Sequence, residues 1–316
     1  MTDQLLETRC CISLGLQGGG SFGAFTWGVL DRLLEAEVAL DVISGASAGA
    51  VNAVLLADGM IEGGRDGARA RLRRFWHRVG AGGIGIGPMA SWSLEALVSR
   101  MGSPFQLNPL GLNPLRDLLA ETVDFARLRA ASPVRLLIAA TRVRDGHARL
   151  FREDEVTLDA VLASACLPFL QHAVEIEGEA YWDGGYSANP PLRQLVVDTE
   201  AVDILLVRLV PELHESVPHL SHEISRRVRE IGFNASLQRE QEAVEELRRA
   251  CGRRRIFRSE LCRKLDALKF HEIAAPEVIE DLAQASTLDT SWPFLQRLCE
   301  GGRIAAEGWL GRFRRG

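Results

Sequence analysis

The stretch Val42-Ile43-Ser44-Gly45-Ala46-Ser47-Ala48-Gly49 decides the fold. An apolar lead-in meets a cluster of small residues, and Ala50-Val51-Asn52-Ala53-Val54-Leu55-Leu56-Ala57 follows with good helix formers. That order predicts a strand that turns sharply into a helix. Gly45, Ala46, Ala48 and Gly49 leave room for so tight a bend, which presents the Ser47 hydroxyl above a sheet in the manner of a nucleophile elbow. G-x-S-x-G alone also fits a plain strand-to-helix turn in a chain with 30 glycines, so the neighbouring sequence has to decide.

Upstream, Cys10 to Leu16 is a short apolar run of the kind that forms a parallel strand buried on both faces. It feeds the loop Gln17-Gly18-Gly19-Gly20-Ser21. Phe22 to Glu35 then carries Phe25, Val29, Leu30, Leu33 and Leu34 at helical spacing, which puts the glycine loop at a helix N-terminus. Downstream, residues 65 to 80 predict an arginine-rich helix with Leu72, Phe75, Trp76 and Val79 on one side and a solvated charged face. Residues 80 to 114, with Met89, Trp92, Leu94 and Leu97 between turn signals, read as a long excursion: a lid over a site or a surface insertion. Val134 to Ala140 predicts a strand, Leu158 to Cys166 a helix, Ala173 to Trp182 two short strands, and Asp203 to Val210 the last strand. Beyond that the pattern is helical and heavily charged. The alternation predicts one α/β domain with a helical appendage, divided softly near residue 212.

Composition removes several classes. With 316 residues, 47% of them hydrophobic and 25% charged, the chain is neither disordered nor fibrous. A net charge of -5 gives no general reason to bind nucleic acid. The first residues carry acids where a signal peptide needs bases, and no run approaches the ~18 apolar residues of a membrane span, so a cytoplasmic location is expected. Of six cysteines, Cys10 and Cys11 are adjacent, and Cys166, Cys251, Cys262 and Cys299 show no C-x-x-C spacing, so reduced thiols are expected. No H-E-x-x-H pair supports a metal site, and no cofactor is implied.

Three chemistries compete for the glycine loop. Gly18-Gly19-Gly20-Ser21-Phe22-Gly23 matches the dinucleotide pattern G-x-G-x-x-G, but that site needs an acid at the end of the second strand. Here Asp41 precedes that strand, which ends in Ser44-Gly45-Ala46-Ser47. A phosphate loop fails because no Gly-Lys-Ser or Gly-Lys-Thr follows the glycines. The third option joins the two motifs: backbone N–H groups at a helix N-terminus form an oxyanion hole beside Ser47, with glycines leaving space for the developing anion. Ser47 then needs a base. Asp183, in Tyr181-Trp182-Asp183-Gly184-Gly185-Tyr186, is the best candidate, although Asp-Gly is also a common turn. A triad in hydrolase order needs a histidine after it, at His214, His219, His222 or His271, all in polar surroundings. His172 breaks that order and suits a structural role. A Ser-Asp pair is the simpler arrangement.

With the glycine loop, the serine elbow and the Asp-Gly-Gly turn in one order, residues 10 to 210 resemble the patatin-like phospholipase family. The resemblance implies a three-layer α/β/α sandwich with a mainly parallel sheet, a catalytic domain over 8–212 and a helical extension over 213–316. It implies Ser47 as nucleophile in an elbow with Gly45 and Gly49, Asp183 as general base, and Gly18, Gly19 and Gly20 as oxyanion donors. It also implies a lipid acyl ester as substrate and hydrolysis through an acyl-enzyme. One departure is Phe22, where the family's loop usually carries arginine or lysine. The motifs specify acyl transfer and leave other acyl esters open, such as a thioester or a polyester fragment. A non-enzymatic nucleotide-binding or scaffold protein using the glycine loop is the remaining alternative.

Two segments suggest peripheral membrane contact. Residues 220 to 270 hold 13 lysines and arginines against 8 aspartates and glutamates, densest at Arg253, Arg254, Arg255 and Arg258; a solvated helix face is the plainer reading. The C-terminal Trp309-Leu310-Gly311-Arg312-Phe313-Arg314-Arg315 combines aromatic and basic residues as an interface would, or is a frayed tail.

Overall fold

The protein is described from a computed structural model, which defines residues 11–83, 103–213, 217–252, 259–275 and 289–315. The first apolar run forms β1 (Cys11–Leu16), and helix α1 (Gly23–Glu35) leads to β2 (Ala39–Ala46) and α2 (Ala48–Arg78). Helix α2 is kinked at Gly63 and Gly64. A short turn of helix α3 (Pro104–Leu107), α4 (Pro114–Thr122) and α5 (Phe125–Ala131) precede β3 (Arg135–Arg142) and β4 (Ala148–Arg152). Then come α6 (Leu158–Ser164), β5 (Val174–Ile176), β6 (Glu179–Asp183), α7 (Leu192–Asp198) and β7 (Asp203–Arg208). Helices α8 (Ser221–Gly252) and α9 (Glu260–Ala267), strand β8 (Lys269–Ala274) and helix α10 (Trp292–Phe313) complete the chain.

The strands form one mixed eight-stranded sheet in the order β5-β6-β3-β2-β1-β7-β8, with β4 also paired to β3. Strands β3, β2, β1, β7 and β8 are parallel, as expected for apolar runs joined by helices. One face packs Ile12, Leu14, Ile43 and Leu136 against Phe25, Leu55, Trp76 and Phe294 of α1, α2 and α10. The other packs Val42, Leu137 and Leu206 against Leu195, Leu237 and Leu265 of α7, α8 and α9. The result is a three-layer α/β/α sandwich with a mainly helical C-terminal region. The chain winds from β1 through β2 to β3 in one direction and then crosses to β7 on the other side of β1. This leaves a crevice at the carboxyl end of β1, where ligands bind in such sheets.

Several expectations change. Strand β8 was not legible, because Lys269-Phe270-His271-Glu272 carries charge into an edge position where one face meets water. The C-terminal aromatics are neither frayed nor interfacial: Trp309 and Leu310 are buried, and Trp309 stacks on Phe313. Helix α10 lies against α1 at backbone distance, since an added Cβ at Gly28 would meet the Cys299 carbonyl and one at Gly302 the Phe25 carbonyl. The arginine-rich helix is not wholly solvated, as Arg71 is buried and pairs with fully buried Asp58 at 2.9 Å. Cys251 and Cys262 are disulfide-bonded where reduced thiols were expected, because the end of α8 and the start of α9 bring their Cα atoms within 5.3 Å. The central part of the 80–114 excursion, His214 and the Arg253–Arg258 run lie outside the described residues.

Candidate active site

The elbow follows from close packing of small residues. An added Cβ on Gly45 would lie 2.7 Å from the Gly49 carbonyl carbon, and one on Gly49 would lie 2.2 Å from the Leu16 carbonyl oxygen. Only glycines let β2 pass into α2 at this distance from β1. Ser47 sits at the turn with φ 52° and ψ -124°, a conformation that costs a non-glycine residue about 1–3 kcal/mol and persists only when its surroundings impose it. Its N–H is held by Ser164 at the end of α6, through both the carbonyl (3.1 Å) and the hydroxyl (3.0 Å). The strained backbone thus fixes the direction of the Ser47 Cα–Cβ bond.

Asp183, the last residue of β6, is completely buried. Its N–H donates to the Cys166 carbonyl at 2.8 Å, and its own carbonyl accepts from the Thr141 hydroxyl at 2.7 Å. Oδ1 accepts the Gly185 N–H at 2.7 Å, so the side chain does make the turn bond that Asp-Gly sequences favour. Oδ2 is buried with no hydrogen bond of full geometry. Burial pushes the carboxyl pKa up to about 7, against the pull of the Ser47 hydroxyl and the Gly185 N–H. The structure therefore brings Ser47 within interaction reach of an acid that is poised to accept a proton near neutrality, in a contact looser than a finished hydrogen bond. Neighbouring Cys166 is no rival nucleophile: burial and the nearby Asp183 carboxyl push its thiol up to about 12.

The glycine loop lies against the elbow. An added Cβ on Gly18 would stand 2.8 Å from Ser47 Cβ. Yet the Gly18 N–H donates to Asn189 Oδ1 at 2.7 Å, whereas Gly19 is half-buried and Gly20 exposed. Phe22, in the place of a basic residue, is buried with its ring 6.1 Å from that of Phe294. The end of β2 offers no acid for a ribose; Asp41 lies near the start of that strand and pairs with Arg135 and the Glu200 and Ala201 N–H groups.

Matched by the model for patatin-like phospholipases are residues 14–196, a span that includes both Ser47 and Asp183. The chain belongs to the patatin-like phospholipase family. This is a family of lipid ester hydrolases. No curated protein matches the chain by sequence. Among solved structures, VipD from Legionella pneumophila is similar at 14% identity and TM-score 0.48, over 96% of this chain and 67% of that one. The type III effector protein ExoU of Pseudomonas aeruginosa is similar at 16% identity and TM-score 0.38, and this chain spans 53% of it.

Around this patatin-like site stand residues that sequence reasoning missed. Fully buried Asn189 accepts from Gly18 and donates through Nδ2 to the Phe233 carbonyl at 3.2 Å. Gln17 accepts the Leu209 and Val210 N–H groups and donates to Asn234 Oδ1 at 2.9 Å. Phe233 also covers Gly185, where an added Cβ would meet its ring at 2.5 Å. Helix α8 is thereby bound to both the loop and the acid turn. Of the candidate histidines, His271 pairs with Asp203 at 2.7 Å, toward the end of the sheet opposite Ser47. His172 stacks on Phe105 with ring centroids 4.2 Å apart and contacts the Pro104 carbonyl, a structural placement.

Proposed function

We propose that the protein is a serine acyl hydrolase of phospholipase A type that cleaves lipid acyl esters with Ser47 and Asp183 alone. The observation that carries this reading is the buried Asp183 carboxyl, held near a pKa of about 7 beside the strained Ser47 elbow. Asp183 takes the Ser47 proton as the hydroxyl oxygen attacks the ester carbonyl. The negative charge passes to the carbonyl oxygen, where the Gly19 and Gly20 N–H groups stabilise it with the N-terminal dipole of α1. Gly18 contributes through its contact with Ser47 and its tether to Asn189, which fix the loop. As the tetrahedral intermediate collapses, the proton on Asp183 goes to the leaving alkoxide and an acyl-enzyme remains. Asp183 then takes a proton from water, hydroxide equivalents add to the acyl carbon, and Ser47 leaves with the proton returned.

On this reading residues 8–212 form the catalytic part and 213–316 an extension packed on it. No described helix is long and apolar enough to cross a membrane. Elbow and glycine loop are equally suited to a thioester or a polyester fragment, and turnover of lysophospholipid, acylglycerol and thioester separates these. A fluorophosphonate, which reacts with activated serines, tests the core of the proposal. It is expected to label Ser47 and nothing else, and labelling absent from Ser47 alongside a shift in melting temperature on adding NAD would favour the nucleotide-binding alternative.

A further inference from the structure

Asn52 sits early in α2 among Ala50, Val51, Ala53 and Val54, all of which belong to the apolar core, and it is completely buried. Asparagine is a poor residue for a helix interior, and a buried amide costs free energy unless its polar atoms are partnered. Here each one is. Nδ2 donates to the Gly23 carbonyl at 2.9 Å and to the Ala48 carbonyl at 3.0 Å, while Oδ1 accepts the Trp76 indole N–H at 3.0 Å. Trp76 lies on the same helix beyond its kink at Gly63 and Gly64, so the returning arm supplies this bond. An indole nitrogen only donates and a carbonyl only accepts, which admits the amide in one orientation. A carboxylate, a hydroxyl or a hydrocarbon in this place would leave at least one of the three unpaired.

The two carbonyls come from the two parts that acyl transfer needs side by side. Ala48 directly follows Ser47, and Gly23 closes the glycine loop as the first residue of α1. The helices touch at this point, since an added Cβ on Gly23 would lie 2.6 Å from Ala48 Cβ and 3.1 Å from the Trp76 ring. At its front the loop is tied through the Gly18 N–H to Asn189, which is itself bonded to the Phe233 carbonyl on α8. At its back it is tied by Asn52 to the nucleophile's own helix. From Gln17 to Gly23 the chain carries no cationic side chain. What the loop offers a developing oxyanion is therefore backbone N–H groups, and a misplacement of about 1 Å can cost on the order of a hundredfold in rate.

We propose that Asn52, oriented by Trp76, is a positioning residue that sets the distance between the Ser47 hydroxyl and the oxyanion-binding N–H groups of Gly19 and Gly20. Resting on the acyl-hydrolase reading, this deepens it: one buried amide joins the nucleophile elbow to the glycine loop. Its effect falls on the transition state, where the oxyanion forms, and leaves substrate binding and the Asp183 base as they are.

Steady-state hydrolysis of a water-soluble short-chain ester by the full-length protein tests this, with each rate divided by the fraction of Ser47 that a fluorophosphonate finally labels. The division removes any loss that comes from unfolded protein. Asn52→Leu, close in volume, is expected to lower kcat per labelled site about tenfold to a hundredfold, with KM within about twofold of the parent and the midpoint of the pH profile unmoved. Trp76→Phe keeps an aromatic ring and removes the N–H, and should lower kcat in the same way by a smaller factor. In the Asn52→Leu background it should remove little more, because it acts through Asn52. Parental turnover per labelled site in the variants, a change confined to KM, a shifted pH midpoint, or losses that multiply in full would overturn the proposal. If Asn52→Leu does not fold, the kcat and KM of Trp76→Phe decide. A parent that neither labels nor hydrolyses would sink the acyl-hydrolase reading and this proposal with it, a result distinct from an active parent matched by its variants.

Discussion

The nucleophile elbow and the acid turn meet in one cleft but are held by different means. Around Ser47 the tightest contacts are between backbone atoms, Gly45 against Gly49 four positions on and Gly49 against Leu16 of the adjacent strand, while Ser164 holds the Ser47 N–H from α6. The backbone of Asp183 is held by Thr141 and Cys166, 42 and 17 positions away in the chain, and Phe233, 50 positions away, covers Gly185 in the same turn. At the elbow, backbone meets backbone and nothing can yield. At the acid turn Gly184 also meets backbone, an added Cβ lying 2.1 Å from the Ala139 carbonyl oxygen, but at Gly185 a side chain, Phe233, closes the space, and side chains can move. Both sites draw on distant partners; the elbow is legible because its small residues are contiguous in sequence, whereas the side chain that closes Gly185 comes from far along the chain.

The largest expected effect breaks the elbow. Gly49→Ala places a Cβ against the Leu16 backbone, and we expect a loss of more than about 4 kcal/mol or no folded protein in denaturant titration. Gly185→Ala pushes on two side chains, the Phe233 ring and, at 3.0 Å, Asp183 Oδ1, and should cost about 1–2 kcal/mol. Similar losses at the two sites would remove the distinction between them.

Next in size is the stability held back by the buried acid. Asp183 titrates near 7 in the folded protein against 3.8 ordinarily, so between these pH values the folded state keeps a proton that the unfolded chain has released. The stability this contributes is complete below about pH 4, falls as pH rises, and is gone above about pH 7. Asp183→Asn, which carries no charge at any pH, should therefore gain on the wild type with rising pH, by a few kcal/mol at about pH 8. A gap in melting temperature that does not change with pH would contradict the raised pKa.

The smallest effect probes how the two regions are joined. Asn189→Ala leaves the buried Gly18 N–H without its acceptor and releases the Phe233 carbonyl. We expect kcat to fall about tenfold to a hundredfold with KM little changed, because the loop that faces the oxyanion loses its anchor while the substrate cleft keeps its walls. A change confined to KM would place Asn189 in substrate binding instead.

Much of this was readable in advance. The strand, glycine loop, helix and elbow are contiguous, and each carries its own signature of size and spacing, so their positions relative to Ser47 followed from sequence. Asp183 was picked out as the candidate base from its Asp-Gly-Gly turn, but nothing in its neighbours reveals that Thr141 holds its backbone or that Phe233 covers Gly185. Asn189 has no local signal, and its role exists only once α8 returns to the site. The extension misled most. Trp309 looked like an interface residue because its ring partner His271 on β8 is remote in sequence.

The central claim is that Asp183, without histidine, activates Ser47. Its most direct test is the rate of fluorophosphonate labelling at Ser47, mapped by mass spectrometry from about pH 5 to about pH 9 in the wild type and in Asp183→Asn. The account predicts a rate that rises with pH to a plateau, half-maximal near pH 7, and a variant slower by on the order of a thousandfold or more with no such rise. Equal labelling of the two proteins, or a wild-type rate without a midpoint near neutrality, would contradict it.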